Sequence, residues 1–200
     1  MIGGAIMKKY KVKGFTLIEL IVVIAIIGVL AAILVPTMLG YVKKSKRSAD
    51  IVTAKNIHTD LLNLILENED ANDSFYSGIS STPVIQKTDN ITNTNYDLVL
   101  VAYLDGKNSA DGSGRVWTPF VSSQQDFCDL FNTRSNYSAS STDIKLNIKS
   151  NAPSGQNYNR WFVGYRKDKE MTVEVWVGDG STGTGGDPQM CLYTVVNQSD

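Results

Sequence analysis

From Leu20 to Val35 every residue is apolar or Gly. Extended back to Phe15, the run FTLIELIVVIAIIGVLAAILV holds about 21 residues, which at ~1.5 Å rise per residue matches a bilayer core of roughly 30 Å. Behind it the pattern changes period. Ile51, Ala54, Ile57, His58, Leu61, Leu62, Leu64 and Ile65 fall in one arc at ~100° per residue, with Asn56, Thr59, Asp60 and Asn63 on the other side. The pattern predicts one helix over 15–67, apolar in its first half and amphipathic in its second. Such a helix would run roughly 80 Å. It is too long for a compact domain and suits a spine that crosses a membrane and then packs on a head.

Residues 68–95 are rich in Asn, Asp, Ser and Thr and contain Pro83, so they read as a polar connecting loop. Strand patterns follow at Tyr96–Leu104, Arg115–Val121, Asp143–Lys149, Arg160–Arg166, Met171–Val177 and Cys191–Val196. The fourth and fifth of these read as a hairpin through Lys167–Glu170. Ser122–Asn132 predicts a short helix, with Ser122 and Gln125 as a capping box and Phe127, Leu130 and Phe131 as its apolar side. The expected fold is α+β: a long N-terminal helical spine whose apolar stripe covers a largely antiparallel β-sheet head.

Composition adds an asymmetry. Four lysines and no acid lie in residues 1–14, whereas Asn68 onward holds 10 basic and 16 acidic residues, although the whole chain nets only -1. An acidic head is a poor partner for nucleic acid. The basic stretch KKYKVKG ahead of the apolar run directs the leader to the cytoplasm, and the long polar part behind translocates. Lys43, Lys44, Lys46 and Arg47 on the far side weaken that bias. Glu19 stands out, because a carboxylate in an apolar span is costly. It either snorkels to the interface or meets a cation that the residues alone do not name.

The stretch Lys13–Pro36, KGFTLIELIVVIAIIGVLAAILVP, resembles the class III signal segment of type IV pilins and pseudopilins. The resemblance covers about an eighth of the chain. It implies cleavage by a prepilin peptidase between Gly14 and Phe15, with N-methylation of Phe15. It also implies that Glu19 pairs with the N-terminal amine of a neighbouring subunit, and that the helix between Gly28 and Pro36 can unwind in a filament. Gly and Pro are also ordinary tenants of membrane helices. The expected organisation is a leader over 1–14, a spine over 15–67 and a head over 68–200.

Cys128 and Cys191 invite a disulfide in an exported chain, and the resemblance implies a disulfide-bounded C-terminal region. Two buried free thiols are the alternative. The acidic Gly-rich stretches 105–114 and 178–187 lack calcium-loop spacing and read as surface loops. Four N-x-[ST] sequons begin at Asn72, Asn90, Asn136 and Asn197, where chance matches are expected. His58 reads as a core histidine, and Trp117, Trp161 and Trp176 read as core more readily than as a binding patch. No nucleophile, base and acid set is visible, and no cofactor or metal is expected.

The reading is a non-enzymatic pilus subunit, major or minor, that polymerises with other pilins for adhesion, aggregation or twitching motility. Its expected partners are the membrane, the prepilin peptidase and the pilus assembly platform. Its expected location is the cytoplasmic membrane as precursor and the cell surface as pilus. The alternatives are a pseudopilin of a type II secretion or competence system, and an unprocessed membrane-anchored binding module.

Overall fold

Helix α1 occupies Leu17–Glu67 in a computed structural model that describes residues 14–77, 82–89, 92–105, 116–134, 158, 160–169, 172–180 and 186–194. The chain divides into two compact units, Met1–Val42 and Lys43–Asp200. In the first, every described residue is exposed, including the whole apolar run. Its hydropathy and length suffice to cross a membrane. In the second, α1 buries Asp50, Ala54, Ile57, His58, Leu61, Leu64 and Ile65. That is the spacing of one helical face, close to the expected arc. Asp50 is an addition to it, whereas Ile51 turns out exposed.

Asn68 ends α1. Its backbone is extended and its side-chain Oδ1 accepts from Ala71 N–H at 2.9 Å, capping a second helix α2, Glu69–Tyr76. Glu69 and Asp70 complement the helix dipole in the first turn. The expected loop over 68–95 is therefore corrected: it holds α2 and an edge strand β1, Val84–Thr88. The burial of Ala71 and Phe75 against the head stabilises a short helix that polarity alone argues against.

The other strands are β2 (Asn95–Asp105), β3 (Val116–Pro119), β4 (Arg160–Arg166), β5 (Val173–Asp179) and β6 (Asp187–Thr194). They form one antiparallel sheet in the order β1-β2-β4-β5-β6, with β3 also paired to β2. The expected hairpin is the β4–β5 pair. The expected strand at Asp143–Lys149 lies outside the described residues. A short 3-10 turn, Ser122–Gln124, leads into α3, Gln125–Arg134. The expected Ser122 capping box is replaced: the 3-10 turn starts from Val121, which makes no side-chain cap bond. Phe127 N–H donates instead to Ser74 Oγ of α2 at 3.0 Å.

The sheet is buried on both faces. On the helix side α1, α2 and α3 pack over Val99, Val101, Trp117, Trp161, Val163, Val175 and Val177. On the outer side Tyr96, Leu98, Leu100, Phe162 and Trp176 form a second cluster. A register shift between Leu100 and Ala102 lets both Val101 and Ala102 join the helix-side core. Gly164 on β4 lies so close to the Val99 carbonyl that no side chain would fit there. All three tryptophans are buried.

Candidate functional sites: the N-terminal segment and a cavity in the head

Thr16 and Glu19 stand at the N-terminal end of α1, where the first backbone N–H groups lack helical partners. Thr16 N–H donates to Glu19 Oε2 at 2.8 Å, and Thr16 Oγ1 donates to the same oxygen at 2.8 Å. Glu19 N–H returns a bond to Thr16 Oγ1 at 3.3 Å. This is a reciprocal capping box. Its T-x-x-E signature was present in the sequence, where Glu19 stood out only as a charge. Both side-chain bonds use Oε2, so Oε1 remains able to take a cation. Phe15 is 91% exposed one residue before the box.

α1 runs unbroken through Gly28 and Pro36. Thr37 Oγ1 donates to Leu34 O at 2.8 Å, and a Cβ on Gly28 would meet nothing within 4 Å. Pro36 has no N–H to give to the preceding turn, so this stretch holds one helical bond fewer. Of the expected residues, Gly14, Phe15, Glu19, Gly28 and Pro36 share this one exposed segment.

The segment matches the model of the prokaryotic N-terminal methylation motif over residues 9–35. In this segment the chain is similar to type IV pilins. It is 38% identical over 69 residues to the type IV major fimbrial protein FimA of Dichelobacter nodosus, covering 34% of this chain and 44% of that one. It is 47% identical over 47 residues to the type IV major pilin protein PilA of Myxococcus xanthus, covering 24% and 21%. It is 65% identical over 34 residues to fimbrial protein Q of Moraxella bovis, covering 17% and 22%. The chain spans less than half the length of these relatives. No solved structure matches it.

The cysteines of this pilin-like chain depart from expectation. Both are free thiols: Cys128 of α3 is buried in the helix-side core, and Cys191 of β6 packs on the outer cluster. The sheet itself separates them, so the expected disulfide and the region it would bound are not formed. Burial pushes both thiols well above their usual pKa.

The sequence did not single out the polar groups of the outer face. Arg166, 3% exposed, donates from Nη1 to Asp89 Oδ2 at 2.6 Å and from Nε and Nη2 to Asp168 at 3.0 and 2.8 Å. Its guanidinium lies 3.8 Å from the centre of the Tyr96 ring. Tyr96 OH and Trp176 Nε1 both donate to Glu174 Oε2, at 2.9 and 2.8 Å. Burial raises the Glu174 carboxyl pKa, and these two bonds oppose the rise. Beside this network is a cavity of about 390 Å³. The one sequence signal for it was acid and base residues placed on strands, where buried charges need partners.

His58 is a core histidine, as expected. Its ring meets Tyr193 edge-on at 4.8 Å between centres. Burial lowers its pKa, opposed by a hydrogen bond with the Val173 backbone.

Proposed function

We propose that this chain is a structural subunit of a type IV pilus. The observation that carries the reading is the methylation-motif segment, residues 9–35, running into a helix whose apolar residues are exposed throughout the first unit. Exposed apolar surface on this scale calls for a membrane or for other helices. The precursor is held in the cytoplasmic membrane by α1 and cut by a prepilin peptidase between Gly14 and Phe15. The new Phe15 amine is methylated. The assembly platform then passes the subunit into a surface fibre, where apolar helices bury one another.

Glu19 sets register in this scheme. A buried carboxylate and a buried ammonium stabilise each other only when paired. Thr16 holds the carboxylate by Oε2, which leaves Oε1 for the Phe15 amine of a neighbour. Local unwinding between Gly28 and Pro36 accommodates packing in the fibre. The fibre serves adhesion, aggregation or twitching motility.

Intact mass of the mature protein tests the reading. Loss of Met1–Gly14 with gain of one methyl group is expected, and an unprocessed chain overturns it. Electron microscopy of sheared surface fibres, with and without the gene, then separates a pilin from a pseudopilin.

A further inference from the structure

The cavity on the outer face of the sheet has its buried charges hydrogen-bonded and two of its neutral polar atoms unmatched. Arg166 is closed between Asp89 and Asp168. Glu174 is held by Tyr96 and Trp176. Lys87 Nζ donates to Pro188 O at 2.6 Å and lies 5.2 Å from the Trp176 ring centre. Arg47 of α1 also lines the cavity and is exposed to solvent. Among the described residues, the buried ions here, Arg166, Asp89 and Glu174, are thus hydrogen-bonded.

Two other lining groups differ. Thr194 Oγ1 and Gln189 Oε1 are buried atoms with no hydrogen-bond partner among the described residues, and Thr194 is only 4% exposed. Leaving such groups unpaired is costly, and native folds seldom do so without a bound partner. Gln189 Oε1 can only accept, whereas the Thr194 hydroxyl can donate or accept. A ligand hydroxyl supplies both needs. Trp176 and Tyr96 add aromatic surface beside these two groups. The volume falls at the small end of ligand pockets.

We propose that this cavity binds a neutral polyhydroxylated ligand, one or two sugar residues in size, through Thr194 and Gln189. The site does not depend on polymerisation: a chain that fails to assemble would still bind, and one that assembles could lack the site.

The test uses the full chain in a sugar-free zwitterionic detergent. Saturation-transfer NMR is recorded with galactose, N-acetylglucosamine and lactose, and with inorganic phosphate and acetate as charged controls. Saturable binding of at least one neutral sugar is expected. Thr194→Val and Gln189→Leu should each weaken it about tenfold or more, the effect of one lost buried hydrogen bond. Thr194→Ser, which keeps the hydroxyl, should retain binding. Thr194→Val should also melt no lower than the parent chain, because it removes an unpaired hydroxyl, so loss of binding is not loss of fold. Three outcomes overturn the proposal. The first is no saturable sugar binding at about 10 mM, which leaves ordered water as the occupant. The second is sugar binding unchanged in both variants. The third is binding of phosphate alone, abolished by Lys87→Met.

Discussion

Cys128 and Cys191 lie on opposite faces of one sheet, the first under the helices and the second in the outer cluster. A disulfide has to bring two Cα atoms within about 7 Å, and here strands with buried side chains stand between them. Mass mapping under non-reducing conditions is expected to recover two unlinked cysteine peptides. Reductant should leave the melting temperature unchanged. With burial raising both thiol pKa values, the reactive thiolate is scarce. Alkylation at pH 8 should therefore be slow until the chain is denatured.

Arg166 is the charge whose loss should cost most. Both it and Asp89 are nearly inaccessible to solvent. Removing one member of a buried pair leaves the other uncompensated, which typically costs about 3–5 kcal/mol. Arg166→Ala is expected to lower stability by that order in urea melts. Asp168 is partly exposed, so Asp168→Ala should cost about 1 kcal/mol or less. Equal losses from the two would contradict the ranking.

His58 predicts an acid-sensitive head. Its folded pKa lies below the ordinary value of 6.5. Below 6.5 the unfolded chain therefore takes up a proton that the folded chain does not. Its contribution to stability is complete above 6.5 and declines as pH falls toward the folded value. Glu174 acts in the opposite sense. Its pKa is raised above 4.5, so its contribution declines as pH rises from there. Thermal melts from pH 7.5 to 5 should show the His58 step in the parent chain and a flatter profile in His58→Phe. Glu174→Gln should keep that step.

The Thr16–Glu19 box predicts a graded defect at the fibre. Glu19→Ala removes the carboxylate proposed to pair between subunits, and should be processed but assemble poorly. Thr16→Val removes only the hydroxyl that holds it. It is expected to be processed, to give fewer fibres than the parent and to give more than Glu19→Ala. Quantifying sheared fibres beside intact mass separates the two steps. Normal fibre yield from Glu19→Ala would refute the ion-pair role.

Asn68, Arg166 and Cys191 mark where reading the chain alone stopped. The apolar run, the helical face from Ala54 to Ile65 and the β4–β5 hairpin were legible, because each rests on a local period that a few neighbours along the chain define. So was the methylation-motif segment, because its residues form one contiguous stretch. The short helix after Asn68 was not legible: its stability comes from packing Ala71 and Phe75 on a core assembled from distant segments. The charged network was equally out of reach, since Asp89 and Arg166 are 77 positions apart and meet only when β1 and β4 flank β2. The cysteines show the same limit most simply. Their number suggested a bond, but which face of a strand each side chain occupies is set by pairing register. Tertiary structure placed them on either side of the sheet.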